Sequence, residues 1–422
     1  MATIQYNNIS ENRATSWSEP AWMYGGGVYN CDGLIQYNII SENKVVGQTF
    51  PAYTQGGGLA YCDGIIRNNV ISGNSTLLGT GMLADGGGLY CCNGTIQDNI
   101  ISGNSARKGG GIADCNAIIS RCVITGNYGI GDGGGIGICH KSAISNCIIA
   151  GNKAGRFGGG IDSSKPITIN NCTITNNRAR TSGGGIHIET GGVITTLQNN
   201  ILWNNDANYG SEIVFVQMRS AATLNVSYSN ISGGLTHTYF YVYSGGDFTV
   251  NWAPGNIDTD PCFVSPGFWD ANGTPADAND DFWVDGDYHL KSLGWRWDNQ
   301  RQTWRWDDVT SRCIDAGNPG SALGEELLSV SADPYNDWGE NLRINMGAYG
   351  GTAEASIPPY DWAKLGDLTN DGIVDPCDFA YMASDWYVTD DHQPGDLDRS
   401  GVVNLEDLAL FVEDWLEETT WR

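Results

Sequence analysis

Long apolar runs are missing from this 422-residue chain. No stretch reaches the roughly 18 apolar residues that a membrane-crossing helix needs. Helical spacing is missing as well. In the first half, no window of about ten residues places apolar side chains on one helical stripe. Basic charge is scarce, with 22 Lys and Arg against 48 Asp and Glu and a net charge of −26. That balance excludes the basic footprint on which nucleic-acid binding depends. Twelve cysteines are present, yet there is no CxxC pair and no Cys/His cluster at zinc spacing. At the start, Met1-Ala2-Thr3-Ile4 offers neither the charged nor the apolar region of a signal peptide.

What is abundant is glycine, 58 residues, and much of it is periodic. Triplets begin at Gly25, Gly56, Gly86, Gly109, Gly133, Gly158 and Gly183, in steps of 31, 30, 23, 24, 25 and 25 residues. A fixed period in this range marks stacked repeats. An aliphatic residue follows every triplet: Val28, Leu59, Leu89, Ile112, Ile136, Ile161 and Ile186. A cysteine column follows at Cys31, Cys62, Cys92, Cys115 and Cys139. Then come Ile35, Ile66, Ile96, Ile119, Ile144 and Ile169. The next column changes from Asn38, Asn69 and Asn99 to Cys122, Cys147 and Cys172. Each unit closes on asparagine, from Asn43, Asn74 and Asn104 to Asn127, Asn152, Asn177 and Asn205.

About three short β-branched runs per unit, punctuated by Gly and Asn, are strand chemistry. A propeller blade needs roughly 40 residues, so the period fits one turn of a parallel β-helix. Like residues then stack about 4.8 Å apart. Aliphatic columns fill the bore, and Asn columns hydrogen-bond along the axis and tolerate left-handed turns. The triplets supply positive φ and close coil contact. The longer first units carry loops at one corner, such as Thr76 to Asp85. The column cysteines read as stacked, buried thiols. Cys262 and Cys313 lie outside the columns and are candidates for one disulfide.

In these columns the chain resembles the right-handed parallel β-helix proteins of the pectate-lyase-like superfamily. The resemblance is firm over residues 1–205 and weaker to about 350. It implies an all-β solenoid over 1–350, regular to 205 and irregular over 206–350. Gln5 to Asn12 align with Gln36 to Asn43, so the chain starts partway through a coil. A signal and a cap are therefore expected upstream.

Past Asn205 the period dissolves into an acidic, tryptophan-rich region that includes Trp338. Trp295-Arg296-Trp297 and Trp304-Arg305-Trp306 have the spacing of a hairpin with both Trp pairs on one face. Trp295, Trp297, Trp304 and Trp306 are either a sugar-stacking platform or cross-strand packing. Residues 351–365, with Pro358-Pro359, read as a short stiff linker.

The acidity concentrates in residues 366–422, where 2 basic residues face 15 acidic ones, a net of −13. Asp367-Leu368-Thr369-Asn370-Asp371-Gly372-Ile373-Val374-Asp375-Pro376-Cys377-Asp378 recurs 29 residues later as Asp396-Leu397-Asp398-Arg399-Ser400-Gly401-Val402-Val403-Asn404-Leu405-Glu406-Asp407. Oxygen side chains at positions 1, 3, 5, 9 and 12, with Gly at 6, have the spacing of an EF-hand calcium loop. The carbonyls of Ile373 and Val402 serve at position 7. Phe379, Met382, Ala383 and Trp386 follow at helical spacing, as do Leu408, Phe411, Val412 and Trp415. This tandem resembles a type I dockerin, a small all-α module. The resemblance implies two Ca²⁺ ions and docking onto a cohesin module of a scaffold or surface protein. It also implies an extracellular location. Thr369 and Ser400 depart from the pattern by offering hydroxyls.

For chemistry, the column two residues after the triplets ends in Asp162 and His187 on successive coils. Glu189 is two residues on, with Lys165 and His140 nearby. A carboxylate holding an imidazole makes a general base, so Asp162, His187 and Glu189 are the catalytic candidates. Three functions stay open: a polysaccharide lyase or glycoside hydrolase, a carbohydrate-binding or adhesive solenoid, and a structural surface protein.

Overall fold

The computed structural model describes residues 2–16, 21–47, 52–78, 83–137, 142–190, 193–217, 221–242, 247–275, 280–328, 330, 339–388 and 393–421. Cys139, His140 and Trp338 lie outside them. The chain winds into a parallel β-solenoid of about eight turns. Each turn has four faces rather than the three expected. One face, running from Val28–Tyr29 to Thr238–Val242, has nine strands. A second, from Thr3–Gln5 to Phe248–Trp252, has ten. The third, from Asn8–Ser10 to Asn230–Ile231, has nine. Among the described residues the fourth face has 11 strands, including Ser105–Lys108, Tyr128–Asp132 and Arg178–Ser182. Its inward column holds small residues, among them Ala14, Val45, Thr76, Ala106, Gly129, Ala154 and Ala179, so no isoleucine column marks it in the sequence.

The coils stack without slippage where the aliphatic columns run. Ile35, Ile66, Ile96, Ile119, Ile144 and Ile169 pair in register, as do Ile40, Ile71, Ile101, Ile124, Ile149 and Ile174. These side chains are buried in one continuous core with the cysteine columns. Cys262 and Cys313 are thiols, so the disulfide expected as a candidate between them does not form. The column thiols also substitute for asparagine. The N–H of Cys122 donates to Cys147 Sγ at 3.4 Å, and that of Cys147 to Cys172 Sγ at 3.5 Å.

The closing asparagines form a buried ladder. The Nδ2 of Asn74 donates to Asn104 Oδ1 at 3.0 Å and to the Ile40 carbonyl at 2.8 Å. Asn104, Asn127, Asn152 and Asn177 repeat the pattern along the axis. The ladder ends where Asn205 donates its N–H to Glu212 Oε1 at 3.2 Å. Burial pushes the Glu212 carboxyl up to about 8 against the pull of the Asn205 hydrogen bonds. The triplets play both expected parts. Gly56 has φ +66°, and a Cβ on Gly57 would lie 2.4 Å from the Gly87 carbonyl oxygen of the next coil.

Regular coils continue past Asn205. Ile213–Gln217, Ala222–Ser227, Thr238–Val242 and Phe248–Trp252 extend the faces although no glycine triplet marks them. Their inward apolar residues keep the alternation that register requires. The long first units also differ from the expected loops. Ala21–Tyr24, Ala52–Gln55 and Leu83–Asp85 are strands that pair with one another and extend the fourth face.

After Trp252 the chain turns back along the flank. Trp283 lies on the third-face corner, where a Cβ on Gly151 would fall 1.9 Å from its ring. Thr125 Oγ1 donates to Asp285, and Gly347 N donates to the Asn199 carbonyl at 2.8 Å. Phe263, Tyr288, Leu290, Ile314 and Met346 form a core with Ile148, Ala150 and Ile201 of the solenoid. The stretch read as a linker is packed. Ile357 exchanges backbone hydrogen bonds with Trp295, and Trp362 and Ala363 are buried. Helices α1 (Pro376–Ser384) and α2 (Leu405–Glu413) complete the described chain. Neither they nor any other described helix is long and apolar enough to cross a membrane.

The ladder makes a stability prediction. Asn104→Ala strands the Ile71 carbonyl and the Asn74 N–H in the core. Urea unfolding should show a loss of about 3 kcal/mol or more, whereas exposed Asn93→Ala should stay within about 0.5 kcal/mol.

Candidate functional site

The two acidic loops share one hydrogen-bond framework, built on their first and last aspartates. In the first, Asp367 accepts from the N–H groups of Asp371 and Gly372 at 3.1 and 3.0 Å. In the second, Asp396 accepts from Ser400 and Gly401 at 2.9 and 2.8 Å. Asp378 accepts from Thr369 and Asp375, as Asp407 does from Asp398 and Asn404. Position 6 requires glycine in both, with φ +95° at Gly372 and +90° at Gly401. Asp375 and Asn404 cap α1 and α2, each in a reciprocal pair with the loop's last aspartate.

The oxygens converge. Asp396, Asp398 and Asp407 each bring one carboxylate oxygen within 4.8 Å of the others. The Val402 carbonyl accepts from Ser400 Oγ at 3.4 Å and from Asn404 Nδ2 at 3.2 Å. In the first loop the Thr369 hydroxyl is buried with no hydrogen-bond partner. Asp367 is pushed up to about 6 by burial, with Arg343 opposing and Asp378 and Asp371 adding repulsion. Crowded anions and an orphaned hydroxyl form an all-oxygen donor set, the chemistry a hard divalent cation satisfies. A pseudo-twofold relation joins the halves. Leu416 N donates to the Val374 carbonyl at 2.8 Å, and Tyr387 N to the Val403 carbonyl at 3.0 Å. The helical stripes are shared between two surfaces. Met382 and Phe411 are buried, while Phe379, Val412 and Trp415 are exposed.

On the solenoid, Asp162 and His187 meet as expected. His187 Nδ1 lies 2.8 Å from Asp162 Oδ1, and the Phe157 ring stacks on the imidazole at 4.7 Å. Burial pushes the Asp162 carboxyl up, against the pull of His187. Glu189 shares the strand but is exposed and makes no hydrogen bond to the pair. Lys165 is exposed as well.

A neighbouring column was missed in the sequence. It stands one residue before each triplet and pairs Tyr24, Gln55, Asp85, Lys108 and Asp132 in register. The tight glycine bend sets it beside the column of Tyr29, Ala60, Tyr90, Ala113, Gly137, Asp162 and His187. One end of this double column is aromatic. Tyr24 stacks on Tyr29 at 5.6 Å, and Tyr61 meets Tyr24 and Tyr90 edge-on. The middle is ionic. Arg156 grips Asp132 with two hydrogen bonds of 3.0 and 2.6 Å, and Lys108 lies 3.9 Å from the same carboxylate. These residues, with Arg107, line a surface depression of about 330 Å³. Asp85 is buried with one oxygen unpartnered, and burial together with Asp114 pushes it up to about 6. The signal was present, but the column precedes the triplet and follows insertions of variable length.

The tryptophan hairpin forms, with Trp297 opposite Trp304. Its rings stand edge to face, at 66° for that pair and 70° for Trp295 and Trp306. Trp295 is buried, and of the four only Trp306 is widely exposed. Cross-strand packing accounts for this arrangement better than a flat sugar platform.

A family model described as a right-handed beta helix region matches residues 88–231. With the parallel faces above, it makes this chain a right-handed β-helix protein. No curated protein and no solved structure matches the chain.

Asp85 gives a signed test. Its folded carboxyl titrates near 6, above the ordinary value of about 3.9. The native state therefore holds the proton more tightly, and stability falls as pH rises from about 4 to about 6. Asp85→Asn should be more stable than the parent by about 2 kcal/mol at pH 7. Denaturant titrations should show that gap closing below about pH 4.

Proposed function

We propose that this chain is a secreted, polysaccharide-directed β-helix protein of the pectate-lyase-like superfamily. On this reading residues 1–350 are the β-helix and residues 366–422 form a type I dockerin. Two Ca²⁺ ions order the dockerin, which holds the protein on a cohesin of a scaffold or cell surface. The observation that carries the reading is the pair of twelve-residue loops, 29 residues apart, whose first and last aspartates accept from the same backbone positions in both. Chance acidic tails do not repeat a backbone.

Asp367, Thr369, Asp371, the Ile373 carbonyl and Asp378 would hold one ion, with Asp375 acting through water. Asp396, Asp398, Ser400, the Val402 carbonyl and Asp407 would hold the other, with Asn404 in the matching role. The bound ion supplies positive charge that neutralises the crowded carboxylates. The exposed side chains of Phe379, Val412 and Trp415 offer an apolar face for the cohesin.

The double column on the solenoid supports a glycan ligand. Half-exposed tyrosine rings give sugar faces a surface to stack on, and charged groups further along hydrogen-bond hydroxyls or carboxylates. Asp162 would orient His187 as base. A second reading, adhesion without cleavage, has its own support. The Asp162–His187 pair is largely buried, Glu189 does not join it, and Asp132 is neutralised by Arg156.

Calorimetry of the full chain should show two Ca²⁺ sites, with Asp371→Ala retaining one. No Ca²⁺ binding at micromolar to millimolar concentration would end the dockerin reading. On a panel of immobilised polysaccharides, one class should retain the protein. Tyr61→Ala should weaken that retention roughly tenfold, a loss of about 1.4 kcal/mol. Product formation that disappears in Asp162→Ala and His187→Ala assigns an enzyme, whereas retention without product assigns the adhesive reading.

A further inference from the structure

The groups of the acidic loops that are not ligands, the side chains at position 4 and the backbone carbonyls at positions 1 and 2, have a use of their own. They are the faces by which the C-terminal module grips the rest of the molecule. In the first loop, position 4 is Asn370, in left-handed conformation at φ +56° and buried. Its Nδ2 donates to the carbonyls of Gly255 and Ala316 at 2.8 and 2.9 Å. Position 2, Leu368, gives its carbonyl to the hydroxyl of the fully buried Tyr228 at 3.0 Å. Position 1, Asp367, gives its carbonyl to Arg343 Nη1 at 2.7 Å.

Arg343 is itself buried, 1% exposed, and spends its remaining donors on the carbonyls of Gly317 and Ala316. A buried guanidinium satisfied by carbonyls holds its place only while each carbonyl stays put. The second loop mirrors the first. Position 4 is Arg399, at φ +57°, which donates to the carbonyls of Pro319, Ser321 and Leu342. Arg312 over the Trp421 ring at 3.9 Å adds a third attachment.

Tyr228 and Gly255 belong to the last coils, whereas Ala316, Gly317 and Leu342 belong to the flanking segment. The loops therefore clasp two parts of the chain that also meet through a shared core and direct hydrogen bonds, such as those of Asn146 and Asn171. Asp371, Asp398 and Ser400 face outward and are exposed.

We propose that the acidic module is an intramolecular clasp, and that cation binding and seating of the flanking segment are one linked equilibrium. This rests on the calcium reading and adds regulation to it. The clasp needs left-handed backbone at position 4 and the carbonyls of positions 1 and 2 turned inward. An ion held by positions 1, 3 and 5 selects that same conformation. Each event thus supplies part of the ordering that the other requires, and the coupling is reciprocal.

The test uses the full chain and the double variant Asn370→Ala/Arg399→Ala, which leaves every ligand position intact. Two readouts are combined: Ca²⁺ calorimetry, and limited proteolysis within residues 313–328 and 339–346 in Ca²⁺ or in chelator. In the wild type, Ca²⁺ should slow cleavage there about fivefold or more, and the double variant should bind Ca²⁺ more weakly by a comparable factor. Circular dichroism should show its β-helix retained; Arg399→Ala alone carries the test if the double variant does not fold. Unchanged Ca²⁺ affinity in the variant, or Ca²⁺-independent cleavage in a wild type that binds two ions, overturns the clasp and leaves the calcium reading standing. A wild type that binds no Ca²⁺ overturns both.

Discussion

Each coil of this protein must repeat the coil beneath it, and buried asparagine side chains enforce the repetition. A ladder amide such as that of Asn104 accepts from one neighbouring coil and donates to both. Slipping one coil by one residue would break these bonds and turn its isoleucines outward. The glycine triplets answer the same constraint at the next corner. There the backbone of one coil approaches the next so closely that a side chain would collide with a carbonyl.

Surface chemistry inherits this order. Since coils do not slip, a residue type written at one offset becomes a line along the axis. That is how Tyr24, Asp85, Lys108 and Asp132 come to share a column, and how Asp162 reaches His187. The solenoid thus presents a graded strip, aromatic at one end and ionic toward the middle. The buried Asp85 carboxyl and the Arg156–Asp132 pair keep that strip from being a simple solvated surface.

The flank works on different physics. It has no repeat; it hydrogen-bonds to solenoid groups such as the Asn199 carbonyl and packs the Trp283 ring on the corner at Gly151. The tandem loops bring these parts together through Asn370, Arg343 and Arg399. A module that resembles an independent docking unit in sequence is therefore built into the body of the protein, with its exposed apolar helix face still turned to solvent.

The sequence by itself determined the coil, its period, its aliphatic and asparagine columns, and the two acidic loops. In these elements each residue's role is set by neighbours at a fixed spacing, so one chain displays the pattern many times. It also contained the Asp162–His187 pair, because both belong to a column with a constant offset. The fourth face stayed hidden since its inward column is made of small residues that change from coil to coil, such as Val45, Thr76, Ala106 and Gly129. Asp85 and Asp132 stayed hidden because insertions of unequal length precede them. Only the tertiary structure decided that residues 351–365 are packed, that Trp295 is core, and that Arg343 joins Gly317 to Asp367. Those contacts link segments with no common period, and a single arginine or tryptophan does not announce its partner until the backbone has brought the two together.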